Sequence, residues 1–317
     1  MLRYEPISIE NNLDWDALVQ SSSTATFFQE RQWMQIWLKH FPVEYEIVGV
    51  YDGSLLIGIA PLSFNQGKVC LLGTTPVLGK EQVCDFGDII CSPQRETDIW
   101  KNVLKYLSEN HAGKIFFPRF IKEDSPSFIL LKSIAKDYTL ETTSPYLKLP
   151  ESWDEYVNGL DRKDRHELRR KLRKLESASY RVYQADPTPD NQEQFISLMK
   201  QSTPEKETFL SQPMKDFFFD FLTHLNKEQI ILWFMDIEGK PVAGALAFRF
   251  KDELLLYNSG MNLAYKHLSV GLLSKALLIQ YCIKLGLKKF DFLQGNEPYK
   301  YNLGGIDNKL YQFTIPL

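Results

Sequence analysis

The sequence predicts an α/β fold in which two tandem lobes follow one plan, each a mixed sheet flanked by helices. Two apolar hairpins carry this prediction. The first turns at Asp52-Gly53 and the second at Glu238-Gly239, and the two turns lie 186 residues apart. Each hairpin follows an aromatic-rich helical segment and precedes a strand, a helix and a strand. Because antiparallel hairpins followed by parallel crossovers give a mixed sheet, the repeat indicates two copies of one folding unit.

The length and composition allow each lobe a core of its own. The chain has 317 residues, of which 44% are hydrophobic and 24% charged, as in soluble globular proteins. No run of about 18 apolar residues is present, and the stretch from Met1 to Pro6 lacks the apolar centre of a signal peptide. We therefore expect a cytoplasmic protein without a membrane span.

Charge, cysteine and histidine usage argue against several classes of site. The net charge of -3 gives no overall attraction to nucleic acid, so we expect no DNA partner. The four cysteines show no CxxC spacing, which favours buried, reduced thiols. The five histidines have no second ligand at metal spacing, and we expect no metal. Neither GxSxG nor GxxxxGK(S/T) occurs, which argues against hydrolases and P-loop enzymes.

The first half is predicted to contain one amphipathic helix before its hairpin and one helix after it. The stretch 26–41, TFFQERQWMQIWLKHF, places Trp33 and Trp37 at helical spacing and ends before Pro42. After the hairpin, the apolar pattern predicts strand Lys68–Gly73, strand Phe86–Ile90, helix Pro93–Leu107 with Ser92 as its cap, and strand Lys114–Phe117.

The second half repeats this order. Around its hairpin we predict helix Asp161–Glu176, helix Met214–Leu225, strand Leu254–Asn258, helix Val270–Leu285 and strand Lys288–Leu293. Ser269 is the expected N-cap of the last helix and Gly286 its left-handed end. Pro145 and Pro150 flank a short run near the middle of the chain. We therefore place the two lobes at residues 1–145 and 146–317.

The loop Lys266-His267-Leu268-Ser269-Val270-Gly271 leads into the N-terminus of a helix. In a parallel strand-helix-strand unit this end lies at the carboxyl ends of the strands, where unpaired N–H groups and the helix dipole favour an anion. A diphosphate would lie against backbone amides there, with Lys266 supplying charge and Gly271 allowing close approach. The matching helix of the first half opens with Ser92-Pro93, and proline removes one such amide. We therefore expect the first lobe to be mainly structural and to lie on the side of any acceptor substrate. We expect the second lobe to bind the donor molecule that carries the diphosphate.

The same loop resembles the (Gln/Arg)-x-x-Gly-x-(Gly/Ala) pyrophosphate loop of GNAT acyltransferases. Lys266, Ser269 and Gly271 stand at its three signature positions, and the first two depart from the family pattern. Nearly the whole chain is similar to the double-GNAT group of BioF-like or CelD-type acetyltransferase domains and, more distantly, to the Fem aminoacyl transferases. The segments that carry the resemblance are TFFQERQWMQIW, EIVGVYDGSLLIGIAPL, DFGD, SWDEYVNGLDRKDRHELRRKLRKLE, IEGKPVAGALAF and FDFLQGNEPYKYNLGG.

The resemblance implies transfer of an acyl group from acyl-CoA, acetyl-CoA for example, to an amine, without a covalent enzyme intermediate. The implied acceptor is an amine on a sugar or cell-envelope polysaccharide precursor. Lys266, Ser269, Val270 and Gly271 are the implied contacts to the donor. Two alternatives stay open, namely a Fem-type transferase that uses aminoacyl-tRNA and a degenerate GNAT module that binds without catalysis.

Acyl transfer needs a donor for the oxyanion and an acid for the departing thiolate. The resemblance implicates a backbone amide within Tyr257–Gly260 for the oxyanion. It also implicates Tyr299, to protonate the leaving sulfur, and Lys300, to hold a phosphate or the oxyanion, with a packed loop as the alternative. Asp291 is a candidate buried base, although we favour hydrogen bonds to loop amides. Glu297 is a weaker candidate base on the same loop.

Two further sets of residues concern the substrate. Asp85 and Asp88 lie in an acidic loop and are candidates to bind or deprotonate the acceptor amine, with a solvated loop as the alternative. Arg165 and Arg169 lie one turn apart on the basic helix and are candidates for contact with an anionic substrate. The alternative for this helix is a solvated charged face. A tRNA partner is expected only under the Fem-type alternative.

Overall fold

The chain forms two compact units in a computed structural model that describes residues 2–10 and 13–317. One unit consists of the residues up to Thr143 together with Asn308–Leu317, and the other spans Ser144–Asp307. The sequence placed the boundary two residues later, at 145/146. It also assigned residues 308–317 to the second lobe, whereas they lie in the first unit.

The first unit alternates short strands with helices. Its elements are β1 (Arg3–Pro6), α1 (Leu13–Ser21), α2 (Arg31–His40), β2 (Tyr45–Asp52), β3 (Leu55–Asn65), β4 (Lys68–Leu71), β5 (Ile90–Cys91), α3 (Glu96–Asn110), β6 (Ile115–Phe116), β7 (Ile121–Lys122), α4 (Pro126–Ile134) and β8 (Asp137–Thr143). A 3-10 turn, Phe27–Gln29, precedes α2, so the predicted helix over 26–41 is divided at Glu30.

The second unit holds the remaining elements except the last strand. They are β9 (Tyr146–Lys148), α5 (Trp153–Gly159), α6 (Arg162–Glu176), β10 (Tyr180–Ala185), α7 (Pro189–Ser202), α8 (Pro204–Phe209), α9 (Gln212–His224), β11 (Ile230–Ile237), β12 (Lys240–Phe250), β13 (Glu253–Met261), a 3-10 turn (Leu263–Leu268), α10 (Val270–Lys284), β14 (Lys289–Asp291) and α11 (Pro298–Asn302). The last strand, β15 (Lys309–Pro316), returns to the first unit.

Each unit is built on one mixed sheet. In the first unit the strand order is β1-β2-β3-β4-β6-β15-β7, with β5 paired to β3 and β8 paired to β15. In the second unit the order is β10-β11-β12-β13-β14-β9. Both predicted hairpins are confirmed, because β2 pairs with β3 and β11 pairs with β12 in antiparallel register. Parallel pairing occurs once in the described part of each sheet, between β4 and β6 and between β13 and β14. The predicted mixed α/β class is therefore confirmed.

The crossover of the first unit differs from its prediction. The helix was expected to begin at Pro93, but α3 begins at Glu96. The Ser92 N–H donates to the Ile57 carbonyl at 2.8 Å, which holds this residue against the sheet, and Gln94 adopts a left-handed φ of 65°. The predicted strand Phe86–Ile90 is reduced to the two residues of β5. Because of this sheet pairing and backbone reversal, the helix begins later in the chain than predicted.

The crossover of the second unit follows its prediction closely. Helix α10 begins at Val270, packs on β11, β12 and β13, and is buried on nearly all sides. Gly286 ends it with a φ of 73° and donates to the Ile283 carbonyl at 3.0 Å, as the glycine in this position predicted. Strand β14 is shorter than the predicted Lys288–Leu293. The helix therefore lies across the centre of the second core.

The four cysteines are all buried, and no disulfide forms in the described part of the chain. Burial raises the pKa of the Cys84 thiol to about 12. No helix within residues 2–10 and 13–317 is long and apolar enough to cross a membrane.

Candidate functional site

The sheet of the second unit opens where β13 and β14 separate. The two strands pair in parallel only from Glu253 to Leu255 on β13, whereas β13 continues to Met261 along β12. A β-bulge at Tyr257 bends β13 between these two regions. After β14 the chain turns away, with Leu293 in the left-handed region at φ 58°. The distal part of β13 therefore has one edge that β14 does not cover.

A cavity of about 480 Å³ adjoins this edge. It is lined by the α7–α8 junction, β13, the 3-10 turn, the start of α10 and the segment before α11. Four of the candidate residues from the sequence come together on its wall, namely Lys266, Ser269, Gly271 and Tyr299.

The N-terminus of α10 forms one wall of the cavity. Ser269 occupies the N-cap position, as predicted, but in a left-handed conformation (φ 57°, ψ 32°) and without a side-chain capping bond. Its carbonyl accepts hydrogen bonds from the N–H groups of Leu272 and Leu273 at 3.1 and 3.0 Å. Among the described residues, the N–H groups of Val270 and Gly271 have no acceptor. These two donors and the helix dipole make this end suited to an anion.

Two glycines are required by close packing around the cavity. A Cβ on Gly260 would lie 2.3 Å from the Met199 nitrogen and 2.4 Å from the Leu198 carbonyl carbon. A Cβ on Gly271 would lie 2.6 Å from the Met261 sulfur. Gly260 therefore lets α7 pack directly on β13, and Gly271 lets the Met261 side chain lie beside the helix start.

Lys275 lies in the first turns of α10 and lines the cavity. The residue is only 8% exposed, and its ammonium donates to the Gly271 carbonyl at 2.9 Å. The same nitrogen lies 4.7 Å from the centre of the Tyr299 ring. Burial, aided by the nearby positive charge of Lys206, lowers the pKa of Lys275 to about 7, against a weaker opposing effect of Glu297. At neutral pH this amine therefore exists in both protonation states.

Three further polar groups face the cavity. The Lys206 ammonium donates to the Ser259 carbonyl, and burial lowers the pKa of Lys206 to about 8. Lys266 is exposed and pairs with no carboxylate in the described part of the chain. Burial raises the pKa of Tyr299, and its hydroxyl has no hydrogen-bond partner among residues 2–10 and 13–317. The lining thus carries three lysines against one carboxylate, Glu297.

The uncovered edge of β13 is occupied by side chains of its own unit. The Ser259 N–H donates to the Asn258 side-chain oxygen at 2.9 Å, and the Met261 N–H donates to the Ser202 hydroxyl at 2.7 Å. Lys206 takes the Ser259 carbonyl. The sequence predicted an oxyanion donor within Tyr257–Gly260. An incoming oxygen would reach the Ser259 amide only by replacing the Asn258 side chain.

Asp291 holds the bend that follows β14. One carboxylate oxygen accepts from the Ser144 hydroxyl at 2.7 Å and from the Leu293 N–H at 2.9 Å. The other lies 3.3 Å from the Lys289 ammonium. The residue is 1% exposed. These contacts match the structural role that the sequence favoured for this residue.

Lys300 closes the loop between β14 and α11. It is 1% exposed, and its ammonium donates to the carbonyls of Leu293, Gln294 and Gly295 at 2.9, 2.7 and 3.0 Å. The same nitrogen lies 3.0 Å from a Glu297 oxygen. The Lys300 ammonium therefore already uses its hydrogen atoms in hydrogen bonds to the loop. Lys300 fixes the chain that presents Tyr299 to the cavity.

Asp85 and Asp88 belong to the first unit. Asp88 is 3% exposed and accepts hydrogen bonds from the hydroxyls of Ser125 and Ser127, both at 2.6 Å, and from the Ile89 N–H at 2.8 Å. Burial raises the pKa of Asp88 to about 7, although these hydrogen bonds oppose the change. Asp88 thus connects β5 to the start of α4.

Arg165 and Arg169 lie on an open basic groove along α6, outside the cavity. Arg165 donates to the carbonyls of Asn158 and Leu160 at 2.8 and 3.3 Å, and Arg169 donates to the Asn158 side chain at 2.9 Å. Both arginines therefore fasten the α5–α6 connection. Lys163 and Arg173 in the same groove are exposed and have no hydrogen-bond or ion-pair partner in the described chain.

Sequence reasoning missed Lys206 and Lys275. A signal for Lys275 was present, because it is the one charge between Val270 and Ile283 in an otherwise apolar helix. A lysine in such a position must reach water, a carboxylate or a cavity. Lys206 lies in a polar stretch that offers no comparable contrast. No group of three His, Cys, Asp or Glu in the described residues is placed to hold a metal ion.

Comparison with known proteins shows what this architecture is similar to. Residues 162–301 match the family model described as "Acetyltransferase (GNAT) domain". This stretch runs from α6 to Tyr301 and contains every residue that lines the cavity. A search of curated proteins gives no significant match.

Several solved structures share the fold over nearly the whole chain. FemX superposes with a TM-score of 0.72 at 12% identity, covering 99% of this chain and 97% of FemX. The C-terminal domain of a putative lysylphosphatidylglycerol synthetase from Agrobacterium fabrum gives 0.61 at 10% identity, covering 96% and 91%. A tandem GNAT protein from the clavulanic acid biosynthesis pathway gives 0.52 at 12% identity, covering 98% of both chains. The predicted fold of two tandem GNAT-like lobes is therefore confirmed.

Proposed function

We propose that the protein is an N-acyltransferase using acyl-CoA, because residues 162–301 match the model of a GNAT acetyltransferase domain and the chain shares the fold of a tandem GNAT protein. Its donor would bind in the second unit, and its acceptor would be an amine. The proposed acceptor class is an amino sugar or another cell-envelope precursor, which rests on family resemblance alone.

The observation that carries this proposal is the start of α10. The N–H groups of Val270 and Gly271 have no acceptor in the described chain, and Gly271 lines the same cavity as Lys266. Two amides at a helix N-terminus and an unpaired ammonium are the groups that a diphosphate requires. The residues present therefore fit the phosphate portion of acyl-CoA. Ser269 stands where the family pattern has glycine and adopts the left-handed conformation that favours glycine.

Tyr299 is the proposed acid for the leaving thiolate. The residue lines the cavity, and because burial raises the pKa of Tyr299, its hydroxyl stays protonated at neutral pH. When bound, the acyl thioester supplies the electrophilic carbonyl. The residues of the chain hold it and move protons. Asp88, Asp291 and Lys300 are assigned to structure, because their polar atoms are engaged within their own units.

Thermal denaturation with CoA and acetyl-CoA tests the proposal. A ligand at 100 times its Kd should stabilise the protein by about 2.7 kcal/mol. Gly271→Glu, which puts a carboxylate among the donors, should abolish this shift. Gly159→Glu is the matched control, because nothing lies near a Cβ at that position. The absence of a shift with either thioester or CoA would contradict acyl-CoA dependence.

A charge change gives a finer test. Lys266→Gln should weaken CoA binding roughly 5-fold, the value expected for losing one contact of about 1 kcal/mol to a phosphate. Lys284→Gln, an exposed lysine at the other end of α10, should leave affinity unchanged. Equal effects of both substitutions would contradict a specific phosphate contact at Lys266.

A second candidate function, Fem-type transfer from aminoacyl-tRNA, is favoured by two observations. Ser202 and Lys206 already occupy hydrogen-bonding positions along the β13 edge, so an extended donor arm would have to displace them. The groove on α6 carries a run of arginines and lysines, of which Lys163 and Arg173 have no partner in the described chain. Such a surface fits a polyanion.

Binding of total tRNA distinguishes the two candidates. Under the second, affinity should fall steeply between 50 and 200 mM salt, and Lys163→Gln with Arg173→Gln should weaken it while Lys284→Gln does not. CoA would then give no thermal shift. Binding of neither donor would contradict both candidates and leave a non-catalytic module.

A further inference from the structure

Lys275 is a buried amine that the fold directs into the donor cavity. It is 8% exposed, and the Gly271 carbonyl is its one hydrogen-bond acceptor among the described residues. The face of the Tyr299 ring lies 4.7 Å from its nitrogen. No carboxylate in the described chain lies within ion-pair distance of it. A lysine with no ion-pair partner in the described chain, in a cavity lined by Tyr299 and the β13 edge, is placed to meet a ligand.

We propose that the Lys275 amine accepts the proton that the acceptor loses when its nitrogen attacks the acyl carbonyl. This inference rests on the proposed acyl transfer and adds a base to it. The acceptor nitrogen forms the new C–N bond, the bond from the carbonyl carbon to sulfur breaks, and the departing sulfur takes a proton from the Tyr299 hydroxyl. The proton from the acceptor goes to Lys275. Exchange with water then returns both residues to their starting states, so protons and electron pairs balance.

The charged groups around Lys275 keep its amine available as a base. Lys206 from α8 and Lys300 from α11 add positive charge that disfavours the protonated form of Lys275. Lys266 from the 3-10 turn lines the same cavity. Glu297, before α11, is the opposing charge, but its carboxylate already pairs with Lys300 at 3.0 Å. Burial, Lys206 and Lys300 together lower the pKa of Lys275 to about 7, against the opposing effect of Glu297. An ordinary lysine would remain protonated and could not take a proton at this pH.

Two carboxylates of the second unit are less suited to accept this proton than Lys275. Glu297 is about half exposed and bound to Lys300. Asp291 is 1% exposed and directs its oxygens to Ser144, Leu293 and Lys289. Burial lowers the pKa of both lysines Lys206 and Lys275 in this cavity, to about 8 and about 7, and Lys275 is therefore the one that loses its proton more readily near neutrality.

Competitive labelling measures the amine without any assay of activity. The native protein is treated with trace acetic anhydride across pH 5 to 11, and acetylation of Lys275 is followed by mass spectrometry against Lys284 as internal reference. The reactivity of Lys275 should rise with a midpoint near pH 7, well below the value of about 10.4 for a lysine in a model peptide. A midpoint above pH 9 for Lys275 would overturn the inference.

Kinetics then test the role in transfer, with acetyl-CoA as donor and glucosamine and lysyl peptides as acceptors. Lys275→Met and Lys275→Arg should each lower kcat by roughly 100-fold or more, because neither side chain can accept a proton. Lys206→Met removes a neighbouring positive charge and should move the acid limb of kcat/KM to higher pH. Lys284→Met should not move it.

The outcomes separate this inference from the function on which it rests. Wild-type transfer together with full activity in Lys275→Met would overturn the base and leave the acyltransferase intact. An acid limb that does not move in Lys206→Met would do the same. A wild-type protein that transfers from neither acetyl-CoA nor aminoacyl-tRNA would overturn the proposed function and, with it, the base.

Discussion

The Lys275 nitrogen lies 4.7 Å from the centre of the Tyr299 ring, in a part of the second unit where no described carboxylate neutralises it. A cation-π contact contributes on the order of 1 to 2 kcal/mol. Lowering the pKa of Lys275 to about 7 corresponds to roughly 4 to 5 kcal/mol against the charged form. Burial therefore outweighs the aromatic contact, and the charged amine weakens the folded state.

Replacing Lys275 with methionine should stabilise the protein below pH 7. The folded pKa of Lys275 is lowered, so the unfolded chain binds more protons between about pH 7 and 10, and wild-type stability should rise with pH across this window. Lys275→Met should remove that rise and add up to about 4 kcal/mol at pH 6. Urea unfolding at pH 6 and pH 9 measures both values. Equal pH dependence in the variant and wild type would contradict the prediction.

Replacing Lys300 with methionine should destabilise the protein, in contrast to the same replacement at Lys275. Lys300→Met leaves the carbonyls of Leu293, Gln294 and Gly295 without their donor, and each buried unsatisfied acceptor costs about 1 to 3 kcal/mol. We expect a loss of several kcal/mol together with loss of donor binding. Urea unfolding of the two methionine variants makes the comparison direct. Stabilisation by both substitutions would show that the two buried lysines have similar environments, against the contacts described.

Ser269→Gly should stabilise the protein by about 1 kcal/mol. The serine holds a left-handed backbone that costs a side-chain residue roughly that amount, and its hydroxyl makes no capping bond that would be lost. Ser269→Ala, which keeps the Cβ, serves as the control and should give no gain. The thermal midpoints of the three proteins provide the measurement. A gain with alanine and none with glycine would contradict this account.

Gly260→Ala should destabilise the second unit severely. The added methyl would lie 2.3 Å from the Met199 nitrogen, and the backbone of α7 cannot move without leaving β13. We expect a loss of about 3 kcal/mol or more, or failure to fold. Gly159→Ala is the matched control, because its Cβ would enter open space, and it should change stability by less than about 1 kcal/mol. Expression yield and urea unfolding distinguish the two variants.

Asp88 should make the first unit less stable as pH rises. Burial raises its folded pKa to about 7, so its contribution is complete below its unfolded pKa and is lost as pH passes through 7. Asp88→Asn should flatten stability between pH 4 and 7. The Lys275 effect lies above pH 7, so the two groups can be separated. Unfolding that depends on pH equally in Asp88→Asn and wild type would contradict the assignment.

The sequence predicted those elements that local chemistry defines. The hairpins at Asp52-Gly53 and Glu238-Gly239 were predictable because the turn residues and the apolar runs agree, and both glycines adopt positive φ. Helix α10 was predictable because Gly286 marks its end. Where tertiary pairing decides, prediction was wrong. The sequence predicts Ser92 as a helix cap, whereas its N–H donates to the Ile57 carbonyl across the sheet.

The sequence identified several residues that line the cavity, but it did not identify the lysines Lys206 and Lys275 that add to its positive charge. Lys266, Ser269, Gly271 and Tyr299 were chosen from the sequence, and the structure brings them to one cavity. The burial of Lys275 and its proximity to Lys206 depend on how α8 and the α11 loop pack, which no local pattern encodes. Lys300 was selected for its position, and only the fold shows its ammonium directed to loop carbonyls.

The return of β15 to the first unit affects the order in which the chain can mature. The last strand pairs with β6, β7 and β8, yet it is synthesised only after the whole of Ser144–Asp307. The first unit therefore cannot complete its sheet until synthesis has passed the whole of the second unit. A chain truncated after residue 307 would keep every residue of the second unit but leave an internal position of the first sheet empty.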